Sequence, residues 1–475
     1  MQTPKQENRG ILRITLWTLG ILVALFFAFL AANTFDEDPS PETKALLIAP
    51  PNPYKPEENL YLALLGLLGP RGASPVASGE QRVAAYERDL ATVLKDPRYK
   101  EQMLAERRKQ KGLEFQGKVD FFRPLGESGF AELKTHDVEV AALLRANREL
   151  MQRYSGLREL KGYHETATPS MYPLPMMGSP AAHLLYLADI ALRAKTGAHP
   201  QEQAALASLS EDIRVWRAVL VGTGSLVSKM VAVANLHRDD AVLADIIADG
   251  RFDAEGSSSA IRAALDLVAE DDWKIGSAFL QEFRANAFFW DVQRLALGMR
   301  AGPTSSENRS WGERLLDTRS PFLKINAAQN LQARDTLERK RVADAPPKDF
   351  FAARDAYRKW LADNVRFGLH YFYDPFGKFL ANITAEGYLD YIVRAYDGAA
   401  FQRLVRLGHE IRSQRIPDGA IPSFIEQHPE WASHPVDGSP FVWNAETREI
   451  AVQTLGNQPE GRRFSISVWS AAARP

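Results

Sequence analysis

The chain has 475 residues, 45% apolar and 25% charged, with a formal net charge of −1 and no cysteine. That is a globular composition, long enough on length alone for two or three domains, and it excludes a disordered or low-complexity chain. The charge balance gives no reason to expect nucleic acid, and the missing thiols exclude disulfides, thiolate nucleophiles and cysteine-ligated zinc while suiting an oxidising compartment.

Ile14 to Ala32, ITLWTLGILVALFFAFLAA, is a run of nineteen residues without a charge. At about 1.5 Å per residue it measures roughly 28 Å, close to the ~30 Å of a hydrocarbon core. Lys5, Arg9 and Arg13 precede it, and Asp36, Glu37 and Asp38 follow. The positive-inside tendency then leaves residues 1–13 as a cytoplasmic tail and everything after Ala32 outside. A cleaved signal would have a shorter apolar core followed by small residues, and Phe29 and Leu30 stand where a cleavage site needs small side chains. The expectation is an uncleaved single-pass anchor, residues 14–32, in a bacterial inner membrane with the body in the periplasm.

Residues 33–79 hold Pro39, Pro41, Pro50, Pro51, Pro53, Pro56, Pro70 and Pro75. They read as a semi-rigid spacer that keeps the body off the bilayer. Within it, NLYLALLGLLG (Asn59 to Gly69) is apolar enough to fold back onto the body as a short helix. Residues 80–430 read as a helical body on periodicity and on glycine and proline stops. Its helices are expected over Gln81 to Lys111, Val138 to Leu160, Ala181 to Lys195, Gln201 to Val221, Leu226 to Asn235, Asp239 to Asp249 and Ser257 to Ala269. They continue over Asp272 to Gly298, Asn326 to Arg341, Lys348 to His370, Asp374 to Tyr396 and Phe401 to Arg412.

Gly162 to Pro180, GYHETATPSMYPLPMMGSP, interrupts this pattern with four prolines after Ala167. Long irregular segments in compact domains are often functional. Tyr163, His164, Met171, Tyr172, Met176 and Met177 are therefore the candidate binding residues. In residues 431–475, Pro440 to Asn444, Glu449 to Thr454 and Phe464 to Trp469 alternate apolar and polar, which predicts three short antiparallel strands. The fold class is mainly α: a membrane-anchored multi-helix body, an array or bundle of helical hairpins, with a small C-terminal antiparallel β element. No fixed internal period marks a repeat.

No catalytic motif is complete. His164-Glu165 and His409-Glu410 open like a zinc H-E-x-x-H, but Thr168 and Ser413 stand where the second imidazole belongs. Ser225 and Lys229 are four apart, a spacing that could pair them on one helical face; an ion pair or a snorkelling lysine is the ordinary reading. Gly222-Thr-Gly-Ser lacks the strand and third glycine of a phosphate cradle, and Gly126-Glu-Ser-Gly places its glycine one position early for a nucleophile elbow. Met171, Met176 and Met177, with His164 and His183, could offer soft donors to Cu(I), although methionine in an irregular loop more often packs on apolar surface. The aromatic runs Phe288-Phe289-Trp290 and His370-Tyr371-Phe372-Tyr373 read as core or an inter-helix seam. A dispersed Ser–His–Asp set stays open, since its members need not be neighbours in sequence. No cofactor and no metal is expected.

Three passages together, SLVSKMVAVANLHRDDAVL (Ser225 to Leu243), YDPFGKFLANITAEGYLDYIVRAYDGAAFQRLVRL (Tyr373 to Leu407) and IPSFIEQHPEWASHPVDGSPFVWN (Ile421 to Asn444), resemble a loosely defined set of uncharacterised single-pass proteobacterial envelope proteins. In these a helical body ends in a proline-rich turn and a small sheet. The D-G-S-P-F-x-W turn, Asp437 to Trp443, is also similar to the C-terminal end of type II secretion pseudopilins. The chain departs from pseudopilins elsewhere, since their anchor runs directly into one long helix and their body is far smaller. Neither resemblance brings a catalytic mechanism.

The expected function is a membrane-tethered periplasmic protein-binding protein, a scaffold or an inhibitor of the immunity type, without catalytic activity. Its partners would be the inner membrane, through residues 14–32, and a protein of the envelope, with no nucleic acid. Tethering raises the effective concentration for partners at the membrane. The alternative is a membrane-tethered envelope hydrolase acting on lipid or glycan. A hydrolase calls for a deep pocket in which a histidine meets a serine or carboxylate; a partner-binding protein calls for an exposed apolar groove.

Overall fold

A computed structural model of the chain describes residues 4–96, 98–108, 112–122, 133–172, 174, 180–196, 199–249, 255–296, 323–366, 368–384, 387–456 and 463–469. Among them the chain is mainly helical, with seventeen α-helices and one small antiparallel sheet. Helix α1, Pro4–Ala32, contains one stretch, Arg13–Ala32, long and apolar enough to cross a membrane, and none of it is buried in the body.

The proline-rich residues that follow do not form an extended spacer. Asn33 is buried, and α2 (Pro41–Leu47) and α3 (Leu60–Gly66) pack on the body, every residue of α3 being inside. Several of the prolines open helices instead of stiffening a rod. Pro41, Pro56 and Pro75 occupy first-turn positions, where a missing N–H breaks no helical hydrogen bond. Helix α4, Pro75–Val93, crosses α3 at a glycine contact. A Cβ on Gly79 would stand 1.9 Å from the Leu62 carbonyl oxygen, and one on Gly66 would stand 1.8 Å from that of Pro75.

Next come α5 (Tyr99–Arg108), α6 (Asp137–Ala146) and α7 (Arg148–Ser155). Three long neighbours follow: α8 (Pro180–Thr196), α9 (His199–Val221) and α10 (Leu226–Asp249). The break expected between Asn235 and Asp239 does not occur. Helix α10 runs through both, and Asn235, Asp239 and Asp240 there are buried inside the body and not turned to water.

The second half holds α11 (Glu255–Leu265), α12 (Gly276–Ala296), α13 (Ile325–Asp344), α14 (Phe350–Asn364), α15 (Pro375–Thr384), α16 (Leu389–Ser413) and α17 (Ile421–Gln427). Helix α16 is likewise unbroken. Gly398 lies inside it because the Trp273 ring leaves no room for a side chain, a Cβ there standing 2.6 Å from the indole. The sheet, β1 (Val442–Asn444), β2 (Glu449–Gln453) and β3 (Arg463–Ser467), has order β1-β2-β3 with Val442 opposite Ala451 and Ile450 opposite Ile466. It packs on α10 and α16, Ile466 against Gly408. One buried apolar cluster extends from Leu60 to Val468 and joins α3, α8–α10, α16 and the sheet.

Candidate functional site

One side of α10 carries Val227, Met230, Val231, Ala234 and Arg238, a spacing that lines them along a single helical stripe. The stripe is not covered: Val227 is 55% exposed. It forms a wall of a predominantly apolar groove of about 680 Å³, closed on other sides by Tyr154, His183 and Trp216 and by Glu282, Tyr388 and Tyr391. Small-molecule sites fall in this range, about 300–1,000 Å³.

A cluster of buried polar groups enters this wall at His183. His183 on α8 has its Nε2 2.9 Å from Asp239 Oδ1 on α10 and 3.0 Å from Asp212 Oδ2 on α9. The Tyr154 hydroxyl donates to Asp212 Oδ1 at 2.9 Å and accepts from the Trp216 indole N–H at 3.1 Å. Tyr154 and Trp216 also place their rings against the imidazole, at 6.1 and 5.7 Å between centroids. All five side chains are buried.

Burial alone would lower the His183 pKa, but hydrogen bonds and charge from Asp212 and Asp239 outweigh it and raise it to about 9. Desolvation, then the Asp212 charge, pushes Asp239 well above the ordinary carboxylate range, and burial takes the adjacent Asp240 to about 8. The two carboxylates thus favour the protonated form of His183, in which both ring nitrogens donate. Nε2 serves the carboxylates. Nδ1 has no protein partner among the described residues, although it is buried. A buried donor without an acceptor is unusual, and it points to a ligand or an ordered water.

A second cation stands in the same wall. Arg238 is half-buried, gives Nη1 to the neutral Asn235 Oδ1 at 2.6 Å, and forms no ion pair with any described residue. Its burial lowers its pKa. The groove therefore joins an apolar stripe to two positively charged donors.

His183, Asp212 and Asp239 also offer three donor atoms within 4.8 Å of one another, which is the spacing of a metal site. Asp212 Oδ2, Asp239 Oδ2 and His183 Nδ1 are each buried without a hydrogen-bond partner among the described residues, and a metal-bound imidazole ordinarily gives its other N–H to an acceptor, which Nδ1 lacks.

The structure disperses the residues singled out from sequence. Tyr163 and His164 are interior: the Tyr163 hydroxyl donates to Glu165 at 2.8 Å, its ring meets Tyr61 edge-on, and His164 bridges to Thr223. Burial lowers the His164 pKa. Neither presents an exposed binding surface. Met171 is 46% exposed, Tyr172 is half-buried with its N–H on Ser170 Oγ, and Met176 and Met177 lie outside the described residues. His183, grouped with these methionines as a soft ligand, is committed to Asp212 and Asp239 instead.

Ser225 and Lys229 do not pair. The Lys229 ammonium is fully buried and gives its N–H groups to the carbonyls of Val219, Leu220 and Gly222 at the end of α9, while both Ser225 and Ser228 donate to Glu165. Burial lowers the Lys229 pKa to about 7, and the α9 carbonyls are what a charged ammonium needs at a helix C-terminus. Nor, among the described residues, does a Ser–His–carboxylate chain assemble at His409 or His434. His409 meets Ser258 at 3.4 Å without a carboxylate, and His434 meets Asp397 at 3.3 Å and the Val436 amide.

No family model, curated protein or solved structure matches the chain, so the site is read from its own geometry. Asp212, Asp239 and Arg238 escaped the sequence reading. No local signal set Asp239-Asp240 apart from a solvated turn, since Asn235, His237 and Arg238 stand directly before them.

Proposed function

We propose that the chain is a single-pass inner-membrane protein whose periplasmic body binds, without catalysis, the anionic head and apolar tail of an amphiphile in the α10 groove. The observation that carries this is the placement of Arg238, a guanidinium that forms no ion pair within 4 Å of any described carboxylate and feels Asp239 only as a nearby charge, next to an apolar stripe. A carboxylate or phosphate headgroup would accept from Arg238 and from His183 Nδ1, and the tail would cover Val227, Met230 and Val231. A tether at a membrane suits such a ligand, because lipid-derived amphiphiles are concentrated there.

A protein of the envelope is the other occupant, favoured by the exposure of Val227 along the rim. Solvent extraction of the purified full chain followed by mass spectrometry separates the two. The expected result is a stoichiometric anionic amphiphile that R238Q and the groove-filling A234W both lose. An extract without amphiphile, together with a photocrosslinker at Val227 that captures one defined protein in cells, would replace the ligand by a protein partner.

A further inference from the structure

The end of the apolar helix is not a loose leash. Asn33 is 1% exposed; its Nδ2 donates to the Phe372 carbonyl at 2.7 Å and its Oδ1 accepts from the Asp374 amide at 3.0 Å. Three residues on, Asp36 accepts from the Asn326 and Ala327 amides at the start of α13, at 2.9 and 3.1 Å. The last turn of the span is also in ring contact with the body, Phe29 meeting Phe372 edge-on at 5.6 Å. Phe29 lies three residues before the end of the stretch, so this contact falls about 4.5 Å inside it.

Immediately after this joint comes α15. Asp374 caps it, with Oδ1 receiving the Gly377 amide at 3.3 Å, and takes the Lys324 amide at 2.9 Å on the same atom. One face of α15 packs on α13, where Gly377 and Ala381 are buried. The other face is bare and aromatic. Phe376 is 46% and Phe379 51% exposed, one helical turn apart with their rings 6.3 Å from each other, and Phe372 just before them is 41% exposed. Three large aromatic side chains left in water beside the mouth of a membrane span have an obvious cover.

We infer that Phe372 and the Phe376 and Phe379 face of α15 lie in the lipid bilayer interface, continuing the apolar surface of the span onto the body. The inference rests on α1 crossing the membrane. The continuity of Phe29 with Phe372 sets the depth, and the rigid Asn33 joint fixes the face toward the lipid. An amphipathic segment of this kind is held by the burial of its aromatic side.

The absence of cysteine makes the test direct, since one introduced thiol is the only one to label. Full-length chain carrying F376C or F379C, labelled with an environment-sensitive fluorophore, is reconstituted in phosphatidylcholine vesicles containing lipids spin-labelled near the headgroup or deep in the chain. L22C, in the middle of the span, and V138C, on the exposed body, are the references. The expected result is emission at 376 and 379 that is blue-shifted and lost to the shallow quencher, while 22 is lost to the deep one and 138 to neither. If 22 is quenched but 376 and 379 behave like 138, the span stands and the interfacial helix is overturned. If 376 and 379 are blue-shifted without quenching, protein and not lipid covers them, which also overturns it. If 22 escapes the deep quencher, the spanning reading fails and the inference falls with it.

Discussion

His183 Nε2 lies 2.9 Å from Asp239 Oδ1 with both side chains at most 1% exposed to solvent. An ion pair so deep is held together by proton occupancy, and its contribution to stability follows pH. The His183 pKa is raised from 6.5 to about 9. Its stabilisation is therefore complete below pH 6.5 and is lost as pH rises through 9. The shift corresponds to a contribution on the order of 3 kcal/mol, since one pKa unit is about 1.4 kcal/mol. Wild type should be more stable than H183Q at pH 6, and the difference between their urea midpoints should shrink between pH 6.5 and 9. A wild-type midpoint in which H183Q leaves the slope unchanged across this window would show that the imidazole is already neutral.

Lys229 acts in the opposite direction. Its pKa is lowered from 10.5 to about 7, so its charged form is penalised by folding, and stability rises with pH from about 7 to 10.5. K229M removes that rise, so its unfolding profile should fall more steeply than wild type above pH 7. It also leaves three carbonyls at the end of α9 without their donor, at roughly 1–3 kcal/mol for each buried group left unsatisfied. Below pH 7 the variant should therefore be the weaker protein only by the difference between that loss and the relieved burial of charge. A pH profile parallel to wild type would count against the assignment.

The crossing of α3 and α4 depends on two missing side chains. Because a Cβ at Gly79 would meet the Leu62 carbonyl at 1.9 Å, G79A forces the two backbones apart. Overpacking of this kind costs about 1–3 kcal/mol, and more where the obstacle is backbone and cannot rotate away. Gly156, with nothing near its added Cβ, is the matched control: G156A should leave the thermal midpoint almost unchanged. Equal midpoints for the two variants would mean that α3 is not seated where the crossing places it.

What sequence could and could not show follows from where each signal is stored. Apolar content sufficed for α3, since Leu60, Leu62, Leu64 and Leu65 have no use except burial, and alternation for β3, where Phe464 and Ile466 stand between polar neighbours. It misled at prolines, because Pro41 and Pro75 look the same in a rod and at a helix N-terminus. It misled again in α10, where Asn235, Asp239 and Asp240 resemble a solvated turn until α8 and α9 are packed beside them. The candidate site is the least legible part. His183 and Asp239 are 56 residues apart, Tyr154 and Asp212 are 58 apart, and only the packing of four helices makes them neighbours.

The joint between span and body gives the last prediction. Asn33 satisfies the Phe372 carbonyl and the Asp374 amide with one side chain, in a place where Asp374 adopts a left-handed φ of 48° that the Asn33 bond helps to hold. N33L keeps the volume and removes both bonds, leaving a buried donor and acceptor at roughly 1–3 kcal/mol each. Since Asp36 still ties the chain to α13, the body should stay folded while its angle to α1 loosens. With spin labels at V23C and L337C, pulsed dipolar spectroscopy in nanodiscs should give one narrow distance for wild type and a broad distribution for N33L, with unchanged helical circular dichroism. An equally narrow distribution in N33L would place the rigidity in the Asp36 bonds and the Phe29–Phe372 contact instead.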